Sequence, residues 1–142
     1  MKASARNRFS GMVASIREGS VNDEVELLTS SGLRVVATVT GTSRESLGLQ
    51  IGSSAFALVK ASSIILVTEA EGVRFSARNQ FQGVVSKVTR GAINSEIVVK
   101  LLGGDQLVAV VTNDSAEELG LTVGEPTLAL FKVSSVILGV LA

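Results

Sequence analysis

The chain has no cysteine, histidine, tryptophan or tyrosine, and only 5 phenylalanines among its 142 residues. Without cysteine there is neither a disulfide scaffold nor a thiolate metal site. Without histidine or cysteine the usual general base and the usual soft nucleophile are missing, and zinc or copper would lack their preferred ligands. The carboxylates are scattered along strand faces rather than clustered as calcium requires, so no free metal cation is expected. No G-x-S-x-G elbow, phosphate loop or G-x-G-x-x-G turn occurs. An enzyme is therefore not expected, and no catalytic residue or cofactor is assigned. The 13 basic and 13 acidic residues cancel, which argues against a general nucleic-acid or membrane-surface binder. The absence of Trp and Tyr leaves little to stack bases. No run approaches the ~18 apolar residues of a membrane span. Met1-Lys2-Ala3-Ser4 enters the first repeat almost at once, leaving no room for a signal peptide, so a cytoplasmic protein is the expectation.

What is present is one unit written twice. Ser4-Ala5-Arg6-Asn7 returns as Ser76-Ala77-Arg78-Asn79, each followed by an aromatic and a glycine, Phe9 and Gly11 or Phe81 and Gly83. Carried on without a gap, the same offset aligns Thr40 and Ser43 with Thr112 and Ser115, and Leu47-Gly48-Leu49 with Leu119-Gly120-Leu121. It also aligns Lys60 with Lys132, and Ser62-Ser63 with Ser134-Ser135. Roughly two aligned positions in five are identical, so function is to be sought in what both copies keep. The copies divide the chain into a first module, 1–69, a short linker, 70–75, and a second module, 76–142. Modules this small bury a modest fraction of their surface and are expected to lean on each other or on other chains.

Each module reads as five short strands with one small helix between the third and fourth. Arg8–Arg17 carries Phe9, Gly11, Val13 and Ser15 on one face, with Met12 and Ile16 on the other. Val21–Thr29 alternates Val25 and Leu27 against Glu24 and Glu26. Leu33–Thr40 and Ala55–Lys60 follow, and Ser63–Val67 is expected to close the module. Leu138, Val140 and Leu141 would form the final strand of the second. Gly11 and Gly83 mark a bulge or a close backbone approach. Between the third and fourth strands, 43–47 and 115–119 predict one or two helical turns. Ser115 and Glu118 have capping-box spacing, and Gly48 and Gly120 stand where a left-handed residue stops a helix. This order predicts an all-β fold of two tandem OB-like five-stranded barrels.

The polar residues kept in both copies are donors: Ser4, Arg6, Thr40, Ser43 and Lys60, matched by Ser76, Arg78, Thr112, Ser115 and Lys132. Hydroxyls, a guanidinium and an ammonium suit a fully deprotonated oxyanion, which has only acceptors. Thr40–Ser43 also opens a helix, where free backbone N–H groups favour an anion. One Arg and one Lys per module match a dianion. The plainer reading stands beside it: Arg and Lys at strand ends solvate an edge, and Ser43 and Ser115 are N-caps.

The Ser-Ala-Arg-Asn start, the Thr-x-x-Ser turn, the Leu-Gly-Leu stop and the Lys-x-Ser-Ser strand end, in fixed order and twice, resemble the Mop domain of the molbindins. These are small proteins that bind molybdate and, similarly, tungstate. The resemblance implies OB-like barrels that associate as homo-oligomers, here a trimer of two-module chains, with oxyanions held where modules meet. It places Ser4, Arg6, Lys60 and Ala61 on one side of a site and Thr40 and Ser43, from an adjacent module, on the other. Ser76, Arg78, Lys132, Val133, Thr112 and Ser115 take the same roles in the second copy. Ala61 and Val133 differ, so the donor there would be a backbone N–H. With no helix-turn-helix and no phosphate loop, the implied role is a free-standing molybdate store or buffer. The rival classes are an OB-type nucleic-acid binder and a purely structural oligomeric module.

Overall fold

The computed structural model describes residues 1–141, so Ala142 at the end of the second module lies outside the described residues. The first copy runs β1 (Asn7–Arg17), β2 (Asn22–Thr29), β3 (Arg34–Thr40), α1 (Gly41–Leu47), β4 (Ser54–Val59) and β5 (Ile65–Val67). The second repeats the order as β6 (Asn79–Arg90), β7 (Asn94–Leu101), β8 (Gln106–Thr112), α2 (Asn113–Leu119), β9 (Pro126–Phe131) and β10 (Val136–Gly139). The expected strands and helices are all present. The last strand stops at Gly139, so Val140 and Leu141 lie beyond it.

Period-two patterning sets the faces. In β2, Val25 and Leu27 are buried while Glu24 and Glu26 are half-buried on the other side. β1 follows this rule only as far as Val13. A bulge between Val13 and Ser15 shifts its register against β2, so Ser15, expected on the Phe9 face, is exposed and Ile16 pairs with Val25. β6 carries the same bulge between Val85 and Lys87. An added residue on one strand of a pair reverses the alternation beyond it. Gly11 and Gly83 mark close approach, as expected. A Cβ on Gly11 would lie 2.2 Å from the Leu28 carbonyl oxygen, and one on Gly83 2.6 Å from that of Lys100.

The closing strands depart from expectation. The two sheets have the orders β10-β4-β1-β2-β3 and β5-β9-β6-β7-β8. Thus β5 does not close the module in which it is written; it pairs with β9, and β10 pairs with β4. One compact unit comprises Met1–Val59 with the segment from Lys132 onward, and the other comprises Lys60–Phe131. In the first unit β10 also touches β3, at the opposite edge of the sheet, curling it toward a barrel. Its core includes Phe9, Val13, Val25, Leu27, Val35 and Val59. In the second, the 3₁₀ turn Ala61–Ser63 touches β8, and the core is built on Val85, Ile97, Val99, Leu107 and Phe131. Side-chain size is matched across the exchanged pairs. Gly139 lies opposite Phe56, and Val67 opposite Leu128. A Cβ at Gly139 would fall 2.4 Å from the Phe56 ring, so a valine at that position would force the ring to move.

Candidate functional site

Each helix starts in the same way. Thr40, with φ −68° and ψ 150°, is the N-cap of α1, and its Oγ1 accepts the Ser43 N–H at 3.0 Å. Thr112 does the same for Ser115 at 3.1 Å. The cap is therefore the threonine, and the helices begin two residues before Ser43 and Ser115, which occupy the third helical position. The Ser115–Glu118 spacing is not the capping arrangement. Each threonine hydroxyl also donates to the serine Oγ, at 2.8 Å in both copies. With its oxygen accepting, each serine hydroxyl keeps its own O–H as a further donor. Thr40, Ser43 and Thr112 are exposed and Ser115 is half-buried. Gly48 and Gly120 end the helices at φ 65° and 68°, as expected.

The remaining donors gather at strand ends. Asn7 pairs with Val59 and Asn79 with Phe131. Arg6 and Lys60 therefore extend from the same end of the β1–β4 pair, and Arg78 and Lys132 from the same end of β6–β9. Lys60 and Lys132 are exposed and precede the 3₁₀ turns Ala61–Ser63 and Val133–Ser135. The amides of Ala61 and Val133 open these turns, where an N–H has no acceptor within the turn. Ser4 and Ser76 are exposed in the segments leading into β1 and β6. In the second copy Gln80 Nε2 donates to the carbonyls of Phe75 at 3.0 Å and Ala77 at 2.7 Å, fastening the segment that holds Ser76. In the first, Arg8 takes that position and lies 4.5 Å over the Phe56 ring.

These are two half-sets, not one. Thr40 pairs with Asn22, beyond the far end of β1, whereas Arg6 precedes its start. The 11 residues of β1 separate them, roughly 37 Å of strand at about 3.4 Å per residue. A single sheet thus presents Ser4, Arg6 and Lys60 at one end and Thr40 and Ser43 at the other. A tetrahedral ion a few ångströms across reaches only one half-set of a given sheet.

Residues that the sequence reading passed over hold these ends in place. Asn7 and Asn79 are buried, and Asn7 Nδ2 donates to the Val59 carbonyl at 3.2 Å, fixing the strand end that leads to Lys60. The signal was a polar residue kept in both copies at an inward position. Asp23 is buried at the start of β2, where it accepts from the Gly19 N–H at 3.1 Å and from Arg44 Nε. The hydrogen bond from Arg44 holds the Asp23 carboxyl below the usual carboxylate range, and the Gly19 amide adds to the effect. Among the described residues no cluster of acidic, histidine or cysteine side chains could hold a metal ion.

A pair of small barrels, each carrying the same hydroxyl, guanidinium and ammonium donors at fixed places, defines a duplicated small-domain protein. The TOBE domain matches residues 3–66 and again 76–138, and the chain belongs to the TOBE-domain family, carrying the domain twice. It is 44% identical over 140 residues to the molybdenum transport protein ModE of Herbaspirillum seropedicae, covering 99% of this chain and 52% of that protein. It is 41% identical over 138 residues to the molybdenum-pterin-binding protein MopA of Rhodobacter capsulatus, covering 97% of this chain and 52% of that one. The chain thus spans about half the length of the curated relatives it matches. Among solved structures, the cytoplasmic molybdate-binding protein ModG, with molybdate bound, superposes with a TM-score of 0.95 at 43% identity, covering 99% of this chain and 100% of that one. The resemblance to the molbindins read from the repeats is borne out by these matches. No helix among the described residues is long and apolar enough to cross a membrane.

Proposed function

We propose that this chain binds molybdate, and tungstate similarly, and acts as a store or buffer of the ion in the cytoplasm without catalysing a reaction. The observation that carries this reading is the match, along the whole of both chains, to ModG with molybdate bound. The donor chemistry supports it independently. Ser43 and Ser115 each keep an O–H to donate, and an Arg and a Lys flank the paired strand ends opposite. A dianion with only acceptors is matched by such a set.

Because the half-sets lie at opposite ends of one sheet, an ion is enclosed when Thr40 and Ser43 of one chain meet Ser4, Arg6, Lys60 and the Ala61 amide of a neighbouring chain. Thr112 and Ser115 meet Ser76, Arg78, Lys132 and the Val133 amide in the same way. Closed cyclic association satisfies every such face, and a trimer of two-module chains is the proposed assembly. The test is calorimetric titration of the purified protein with molybdate, tungstate, sulfate and phosphate. The reading requires saturable binding of molybdate and tungstate that phosphate does not reproduce. Equal heats for all four ions, or none for molybdate, would refute it.

A further inference from the structure

The two copies keep the same donors at each helix start but hold that start in place by different chemistry. A helix of seven residues is too short to be stable alone, so its orientation depends on what anchors it to the sheet. In both copies the first helical amide donates to the β1–β2 or β6–β7 turn, Gly41 N–H to the Val21 carbonyl at 3.1 Å and Asn113 N–H to that of Ile93 at 2.8 Å. Beyond that the copies part. α1 buries none of its residues. Its anchor is Arg44, which donates to the buried Asp23, while Asp23 also receives the turn amide of Gly19. Arg44 reaches Glu18 on the same turn at 3.2 Å as well. α2 has no counterpart to this buried pair; its Glu117 accepts from Arg90 at the end of β6 at 2.7 Å, but both side chains are exposed, where a salt bridge contributes little. Ala116 stands where Arg44 was and is buried. Ser95 replaces Asp23, and its hydroxyl donates to Asn113 Oδ1 at 2.6 Å. Asn113, in place of Gly41, donates to the Gly91 carbonyl of the turn at 3.0 Å. Three positions have changed together, Asp-Gly-Arg in one copy and Ser-Asn-Ala in the other. Each combination ties the same three pieces: turn, strand start and helix.

We propose that Asp23 with Arg44, and Ser95 with Asn113, are positioning residues that fix the Thr40–Ser43 and Thr112–Ser115 donor pairs for the ion, one set by an ion pair and the other by neutral hydrogen bonds. This rests on the molybdate reading above. The chain then carries two classes of site with different supports. The class built on Thr40 and Ser43 depends on a buried charged lock, and the class built on Thr112 and Ser115 on buried neutral hydrogen bonds, with only the exposed Arg90–Glu117 pair beside them. Releasing a lock lets the helix start leave its binding orientation. The apparent dissociation constant then rises in proportion to the fraction of chains that have lost it.

The structure also gives a rescue. A Cβ on Gly41 would meet Asp23 Oδ2 at 3.7 Å, an ordinary contact, so the neutral set can be built in the first copy. The experiment is calorimetric titration with molybdate of the parent, Arg44→Ala, Asn113→Gly, and the triple variant Asp23→Ser, Gly41→Asn, Arg44→Ala, with circular dichroism as the check of folding. Arg44→Ala is expected to weaken one class of sites about ten-fold, the loss when the competent orientation falls to about a tenth of the population. Asn113→Gly is expected to weaken only the other class. The triple variant is expected to bind within about two-fold of the parent, a recovery that a neutral anchor gives only if anchoring is what was lost. Parent-like binding by folded Arg44→Ala, or a triple variant as weak as the single one, overturns the proposal. Should Arg44→Ala fail to fold, the triple variant decides in the same two directions. A parent that gives no heat with molybdate refutes the functional reading itself, a result distinct from either.

Discussion

Gly139 and Phe56 together state which strand closes the first sheet, and this can be tested by enlarging the glycine. Gly139→Val copies into β10 the residue that β5 carries at the same place, Val67. The added Cβ would lie 2.4 and 2.6 Å from two Phe56 ring atoms, distances no relaxed contact reaches, so the ring must turn. Turning it also disturbs Arg8, whose guanidinium lies 4.5 Å over the ring. Overpacking of this kind costs about 1–3 kcal/mol, and the cation–π contact adds at most about 1 kcal/mol at an exposed site. Phe56→Leu alone shrinks a buried side chain and is expected to cost about 1 kcal/mol. The double variant reproduces the Val67–Leu128 pairing of the other sheet, so it is expected to be more stable than Gly139→Val and within about 1 kcal/mol of the parent. Urea unfolding monitored by circular dichroism reads these differences from the midpoint. A Gly139→Val midpoint equal to the parent's, or a double variant whose losses simply add, would refute the size argument for the exchange.

Arg6→Met, Lys60→Met, Arg78→Met and Lys132→Met each delete a charge-assisted donor of about 1.5–3 kcal/mol; each should weaken its own class of sites roughly ten- to a hundred-fold by calorimetry. Four variants that bind like the parent would make these residues surface decoration. Histidine is the side chain that ordinarily titrates near neutrality, and the chain has none, so molybdate affinity should be flat between about pH 6 and 8. Equilibrium dialysis across that range checks it. Asp23 has a folded-state pKa below its ordinary value because of Arg44 and the Gly19 amide. Its contribution to stability is full above the ordinary carboxylate pKa of about 3.9 and is lost as pH falls through the lower folded value; Asp23→Asn should flatten this part of the acid limb in melts from pH 6 to 2. If molybdate is held between chains as proposed, it stabilises the assembly by mass action, so sedimentation equilibrium should show the proposed trimer strengthened by the ion and weakened on its removal by dialysis. A monomer binding at full affinity would sink the interface arrangement.

Much of the fold was legible because its signals are local. Val25 and Leu27 against Glu24 and Glu26 gave the faces of β2, and Gly48 and Gly120 gave the helix ends. The strand exchange was not legible, because Ile65-Leu66 and Ile137-Leu138 are identical in pattern and either pair suits either sheet. What separates them is a contact distant in sequence, Gly139 with Phe56. Ser15 was placed on the Phe9 face because the bulge after Val13 gives no local signal: Ala14 carries no turn residue's signature. At the helix starts, threonine and serine are both good caps, and only geometry chooses Thr40 over Ser43. The donors themselves stood out because duplication filtered them. The residues that hold the helix starts did not, because those anchors differ between the copies: Asp23 and Arg44 have no likeness to Ser95 and Asn113 until the helix and the strand start are seen side by side.

The central claim is that the repeated donors enclose the oxyanion. Anomalous diffraction at the molybdenum edge, from crystals of the protein grown with molybdate, tests it most directly. The account predicts anomalous peaks with Thr40 and Ser43, or Thr112 and Ser115, on one side and Ser4, Arg6 and Lys60, or Ser76, Arg78 and Lys132, of a neighbouring chain on the other. Peaks seated away from both sets of donors, or none at saturating molybdate, would contradict it.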